Sequence, residues 1–138
     1  MNKIKIGIDL VDIWENFGDF KEVMKDISLD TEGYQLYIIS TETNEDLIAS
    51  AKALLGLDDQ FVIQTTDDTT TVQSLVDNKI DIYMTGNNPL VILTNETETT
   101  KGVLVNSIPD RYKMQSMWLT NMNFWIGQIN KTTSEKNC

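Results

Sequence analysis

The feature that most constrains the fold is a regular alternation of short apolar runs with amphipathic segments of helical period. The apolar runs are rich in β-favouring residues and are short, which is typical of strands buried on both faces. Strands that alternate with helices form βαβ units and build a parallel sheet. The predicted strands are Lys3–Asp9, Tyr34–Ser40, Gln60–Gln64, Ile80–Thr85 and Gly102–Asn106.

The segments between these runs predict helices over 15–27, 44–55 and 114–129, and a further helix that TTDDTTT caps and that runs to Asn78. In the first and last helices the apolar residues recur at spacings of three and four. Thr43 is the expected N-cap of the second helix and Gly56 its end. A GNNP turn and a short segment to Thr97 follow the fourth strand. The predicted fold is a three-layer α/β sandwich with a mainly parallel, five-stranded, Rossmann-like sheet. It occupies a single domain over 1–130, and 131–138 is expected to form a flexible tail.

Composition excludes several classes of protein. The chain has 138 residues, 41% of them hydrophobic, yet no run approaches the ~20 apolar residues of a membrane-spanning helix. Cys138 is the single cysteine, so an intrachain disulfide cannot form. Histidine is absent, which excludes Ser-His-Asp catalysis and disfavours zinc. Because no signal peptide is recognisable, a cytoplasmic location is expected.

The charge is concentrated in one part of the chain. The net charge is −10, and residues 1–106 hold 19 acidic side chains against 7 basic ones. An acidic body repels phosphate backbones, so a direct nucleic-acid partner is not expected, whereas a basic protein surface would be attracted. The alternative is that the charge serves solubility alone. Ten lysines against one arginine, with 15 isoleucines and 12 asparagines, suggest an AT-rich genome, which many phages and some bacteria have.

Residues that leave the predicted strands are the candidates for function, because ligands of such sheets bind beyond the carboxyl ends of the strands. They are Asp9, Ser40 with Thr41, Thr65–Asp68 and Thr85–Asn88. Asp9 closes the apolar IGID run. Its side chain could cap the next turn, or it could act as a carboxylate nucleophile towards phosphate or as a Mg²⁺ ligand.

The order of these features resembles the haloacid dehalogenase (HAD-like) superfamily, most closely its small phosphatases and 5′-nucleotidase-like members without a cap domain. The resemblance rests on IGID, YIIS, DDTTT and KIDIYMTGNNP, and it covers nearly the whole chain. It implies Asp9 as nucleophile and Mg²⁺ ligand, and Ser40, Thr41 and Thr69 as phosphate ligands. Asn87 would be a weak second ligand of Mg²⁺.

The chain departs from the family pattern at three motifs. Val11 stands where the second aspartate of the first motif belongs, and Asp68 or Thr69 where a lysine is expected. The fourth motif, Thr85–Asn88, holds no acid. Because phosphoryl transfer depends on cations that neutralise developing charge, these losses predict a catalytically degraded pseudoenzyme that acts by binding. The alternatives are an active Mg²⁺-dependent phosphohydrolase acting on nucleotides or other phosphomonoesters, and a simple nucleotide sensor.

The last predicted helix carries an apolar face formed by Trp118, Met122, Trp125, Ile126 and Ile129. This face can pack on the sheet. Its tryptophans and methionines, among them Trp118, Met122 and Trp125, would also suit an adaptable contact with a protein partner or a second copy.

Overall fold

The protein forms a five-stranded sheet in which every neighbouring pair of strands is parallel, in the order β3-β2-β1-β4-β5. The structure is a computed structural model that describes residues 3–10, 18–105 and 120–131. Its strands are β1 (Ile4–Ile8), β2 (Tyr34–Ser40), β3 (Val62–Gln64), β4 (Ile82–Thr85) and β5 (Lys101–Leu104). This confirms the predicted α/β class and the parallel sheet.

Helices occupy the connections, as parallel strands require. They are α1 (Gly18–Ser28), α2 (Glu45–Leu55), α3 (Asp68–Asp77), α4 (Asn88–Asn95) and a final helix over 120–131, α5. A short 3₁₀ turn, Asp59–Phe61, leads into β3. The longest connection between successive strands, residues 9–33, has no room for an inserted domain. The predicted start of the last helix, 114–119, lies outside the described residues.

Several local predictions differ from the structure. The third strand was predicted from Gln60, but it begins at Val62 because a 3₁₀ turn precedes it. The N-cap of α2 is Asn44 and not Thr43, because the Asn44 side chain accepts hydrogen bonds from the backbone of Asp46 and Leu47. The segment after the GNNP turn is a full helix, α4, since Asn87 caps it and Pro89 lies in its first turn, where proline is tolerated. Gly56 ends α2 in the left-handed conformation, as predicted, with φ of 65°.

Helices cover both faces of the sheet and create two separate apolar cores. The larger core lies under α1, α2 and α5 and is built on alternate residues of the central strands, such as Ile6, Ile8 and Ile38. The smaller core lies under α3 and α4 and includes Ile39 and Tyr83. Of the described helices, α3 and α4 lie on this second face, and they leave the amino-terminal half of β1 and β2 less covered there.

On this second face, Gly7 leaves room for the Tyr83 ring to pack over the middle of the sheet, because it has no side chain. A Cβ atom at position 7 would lie 2.9 Å from Cδ1 of Tyr83, whose ring is fully buried. The ring is held in place, since the Tyr83 hydroxyl donates a hydrogen bond of 2.7 Å to the Ile39 carbonyl. Glycine is therefore required at this point by packing.

Candidate functional site

The candidate site lies where the strand order reverses. From β1 the chain adds β2 and β3 on one side and β4 and β5 on the other, so the helices of the two halves diverge beyond β1 and β4. Sheets of this kind bind their ligands in the crevice at such a point. Asp9 follows β1 directly, and its backbone N–H donates to the Met84 carbonyl at 2.9 Å. The topology thus places Asp9 at the centre of the carboxyl edge.

Two hydroxyl groups from the neighbouring strands bind the Asp9 carboxylate. Ser40 Oγ donates to Oδ1 at 3.1 Å, and Thr85 Oγ1 donates to Oδ2 at 3.0 Å. Asp9 itself is half-buried, whereas Ser40 is 4% exposed and Thr85 is fully buried. The last residues of β2 and β4 therefore hold the carboxylate from both sides.

Each hydroxyl also accepts a hydrogen bond from a backbone N–H. Ser40 Oγ accepts from Glu42 N at 3.1 Å, and Thr85 Oγ1 accepts from Asn87 N at 3.1 Å. A hydroxyl has one proton to donate. Both protons are directed at Asp9, so the arrangement ties β1, β2, β4 and the two loops that follow into one polar network.

Thr85 is the residue of this network to which the sequence assigned no role. It was expected only to leave the fourth strand, within the segment Thr85–Asn88. A hydroxyl side chain at the end of an otherwise apolar buried strand was the available signal, because buried hydroxyls need partners. Its partner, Asp9, follows β1 and lies 76 residues away in the chain, so the pair could be identified only from the structure.

The side chains of the other predicted phosphate and metal ligands lie around this network, which Asn87 joins only through its backbone N–H. Thr41 is exposed immediately after β2, and Thr69 is exposed in the first turn of α3. Asn87 caps α4, and its Oδ1 accepts a hydrogen bond from Leu90 N at 3.3 Å. The amide oxygen expected to bind Mg²⁺ is thus engaged at the start of a helix.

The acidic, threonine-rich segment before α3 serves as a helix cap. Asp67 Oδ1 accepts from Thr70 N at 2.8 Å, and Thr70 Oγ1 accepts from Asp67 N at 3.0 Å, which completes a capping box. The hydrogen bonds from Thr70 hold the pKa of the Asp67 carboxyl below its usual range. The negative charge next to a helix N-terminus is therefore explained by local structure.

The residues present fit a Mg²⁺ site poorly. Within 3–10, 18–105 and 120–131, no three His, Cys, Asp or Glu side chains are grouped so that they could hold a metal ion. The segment Thr85–Asn88 supplies no carboxylate, although Mg²⁺ is usually bound through one or two of them. Lys79 and Lys101 lie at the amino ends of β4 and β5, at the edge of the sheet opposite to Asp9.

The apolar face of α5 packs on the larger core. Met122 is 3% exposed, and Trp125, Ile126 and Ile129 are partly buried against the same cluster. The Lys101 ammonium lies 5.2 Å from the centroid of the Trp125 ring. Packing on the sheet, one of the two predicted roles of this face, therefore applies to Met122 and Trp125. Trp118 lies outside the described residues.

Comparison of the chain with models of protein families, with curated proteins and with solved structures yields no match. The fold class therefore rests on the observed topology. Among the described helices, none combines the length and the apolar character needed to cross a membrane.

Proposed function

We propose that this protein acts by binding, as a HAD-like α/β protein whose phosphatase site has lost turnover. The observation that carries the proposal is the hydrogen-bond network around Asp9. The residue that the resemblance assigns as nucleophile accepts protons from the hydroxyl assigned to phosphate, Ser40, and from a second hydroxyl, Thr85. These contacts give Asp9 a structural role at the carboxyl edge.

The network competes directly with phosphate binding. To hold a phosphoryl oxygen, Ser40 would have to turn its only proton away from Asp9 Oδ1, now 3.1 Å from its oxygen. Thr85 is fully buried and cannot reach a substrate without leaving the strand end. Binding a phosphate here would therefore break interactions that the folded protein already makes.

Charge also opposes turnover. The two hydroxyl groups that bind the Asp9 carboxylate contribute dipoles and no positive charge. A phosphate dianion brought against it would be repelled by several kcal/mol at an effective dielectric near 20, about 4 kcal/mol for each pair of unit charges 4 Å apart. Active phosphoryl-transfer sites offset this repulsion with a metal ion and basic side chains. The fourth-motif segment Thr85–Asn88 carries no acid that could help to hold such a metal.

The acidic surface of the protein is the feature through which it would bind a partner. The net charge of −10 favours a partner with a basic surface, including a protein that itself binds nucleic acid. We accordingly propose a cytoplasmic regulatory protein, encoded by a phage or directed at host proteins, with a protein partner rather than a substrate. The lysine-rich, arginine-poor composition supports this origin.

A phosphatase assay tests the loss of turnover. Purified protein is given p-nitrophenyl phosphate and a panel of nucleoside monophosphates, with Mg²⁺ and with EDTA, beside Asp9→Asn, Ser40→Ala and the control Thr43→Ala, which changes an exposed side chain. We expect Mg²⁺ to produce no hydrolysis above that of Asp9→Asn. Hydrolysis that requires Mg²⁺, is abolished in Asp9→Asn and persists in Thr43→Ala would overturn the proposal.

The second candidate is an active Mg²⁺-dependent phosphohydrolase on nucleotides or other phosphomonoesters. One observation favours it, namely that Asp9 and Ser40 adjoin at the point of the sheet where ligands bind. In that case Ser40→Ala would reduce hydrolysis, because the phosphate would lose a donor. The same assay therefore separates the two functions.

A further inference from the structure

A second candidate site lies at the opposite edge of the sheet, at the amino ends of β1, β2 and β4. An open groove of about 670 Å³ is found there, within the range of about 300–1,000 Å³ that small-molecule sites occupy. It exists because α3 and α4 leave the amino-terminal half of β1 and β2 partly uncovered. Its lining includes Lys3, Lys5, Lys79, Tyr37, Phe61 and Asp81.

The groove is locally basic in an acidic protein. Three lysines line it, although the chain as a whole carries a net charge of −10. Asp81 is the one carboxylate among the described lining residues, and its Oδ2 accepts a hydrogen bond from Lys5 N at 2.8 Å. Burial raises the pKa of the Asp81 carboxyl, while the backbone N–H and the charge of Lys5 act in the opposite direction. The three lysines outnumber this one carboxylate in the lining. The groove is therefore suited to an anion.

The lysine at the rim occupies a backbone conformation that favours glycine. Lys79 has φ of 55° and is the one non-glycine residue with positive φ in the described parts of the chain. It follows α3 at a Schellman-type end, where Lys79 N donates to the Val76 carbonyl and Ile80 N to that of Leu75. Glycine would take this position without strain. The lysine instead places an ammonium group beside the groove, and strained positions of this kind are concentrated at binding sites.

Aromatic rings form part of the wall beside these ammonium groups. Tyr37 and Phe61 meet edge to face with their centroids 5.4 Å apart. The Lys5 ammonium is held in position, since it donates to the Asn78 carbonyl at 3.0 Å and lies 5.8 Å from the centroid of the Tyr37 ring. Two half-buried rings and three cations match a ligand that combines a flat aromatic ring with a phosphate.

We propose that this groove binds a mononucleotide, with its phosphate among Lys3, Lys5 and Lys79 and its base against Tyr37 or Phe61. The site is separated from Asp9 by the length of the strands, and the inference is independent of the function proposed for the carboxyl edge. No chemical step is involved, because the groove holds the ligand by charge and stacking alone.

Titration with AMP tests the proposal, with inorganic phosphate and adenosine as partial ligands, by calorimetry and by amide NMR shifts. We expect AMP to bind more tightly than either partial ligand and to shift the amides of Lys5, Tyr37 and Lys79 rather than that of Asp9. Absence of AMP binding at millimolar concentration would overturn the proposal. Equal binding of AMP and phosphate would overturn the part assigned to the aromatic wall.

The variant Lys79→Gly distinguishes an effect on AMP binding from an effect on folding, because it should weaken binding while it raises the stability of the protein. Loss of one ammonium should weaken AMP binding about fivefold to tenfold, while relief of the left-handed strain should raise the melting temperature by about 2–5 °C. Lys79→Arg should retain binding. The control Lys25→Ala removes an exposed lysine from α1 and should leave the affinity unchanged. If Lys79→Gly binds AMP like the parent protein, or if Lys25→Ala weakens binding equally, the groove is not the site.

Discussion

Replacing Thr85 by valine tests the structural role of the network around Asp9. Valine keeps the shape and volume of the side chain but removes the hydroxyl, so Asp9 Oδ2 loses the donor now 3.0 Å away and Asn87 N loses its acceptor. Because Thr85 is fully buried, the space that its hydroxyl occupies is not open to solvent. A hydrogen bond to a charged group contributes about 1.5–3 kcal/mol. We expect Thr85→Val to lower the free energy of unfolding by about 2–3 kcal/mol.

Thr94→Val is the matched control. Thr94 is also fully buried, but its hydroxyl donates to the Leu90 carbonyl of its own helix, at 2.7 Å. That carbonyl is a neutral acceptor within α4, so Thr94→Val should lower the free energy of unfolding by at most about 1 kcal/mol. Both variants bury the same added methyl group, and the difference between them isolates the contact with the carboxylate.

Urea unfolding followed by circular dichroism measures this difference. With a slope of about 2 kcal/mol per molar urea, Thr85→Val should lower the unfolding midpoint by about 1 M or slightly more. Thr94→Val should lower it by less than half as much. Equal midpoints for the two variants, or a Thr85→Val midpoint close to that of the parent protein, would refute the idea that the hydroxyls hold Asp9 for structural reasons.

Three further predictions follow from buried or capping groups. Gly7→Ala should destabilise the fold by about 1–3 kcal/mol, because the new methyl group meets the buried Tyr83 ring; an unchanged melting temperature would show that the ring can move. The pKa of Asp81 is raised in the folded protein, so the stability that this carboxyl contributes is present below about pH 3.9 and is lost as the pH rises through the folded-state pKa. The free energy of unfolding of Asp81→Asn, relative to that of the parent protein, should therefore be higher at pH 7 than at pH 3. The same stability difference at both pH values would contradict this. The pKa of Asp67 is lowered in the folded protein, so the stability that this carboxyl contributes is present above about pH 3.9 and is lost as the pH falls through the folded-state pKa. Asp67→Asn should therefore reduce the loss of stability on acidification. A loss equal to that of the parent protein would argue against the capping box.

Predictions that depend on neighbouring residues in the chain agree well with the structure. The second strand, Tyr34–Ser40, has the predicted bounds, and Gly56 ends α2 as expected, because periodicity and a left-handed glycine are local signals. Errors arose where two local signals competed. Thr43 and Asn44 can both cap a helix, and the backbone of the preceding turn decides which side chain reaches the N–H groups of the first turn.

The amino-acid sequence alone was enough to predict the parallel α/β class and to place Asp9 and Ser40 at the carboxyl edge of the sheet. The residue at which a strand ends can be predicted from the sequence, and parallel strands end at the same edge. It did not identify Thr85 as a partner of Asp9, or the groove between Lys5, Lys79 and Tyr37. These arrangements depend on which strands become neighbours and on which part of a sheet face the helices leave uncovered. Strand order and helix placement are decided by packing between segments distant in the chain, so only the tertiary structure reveals them.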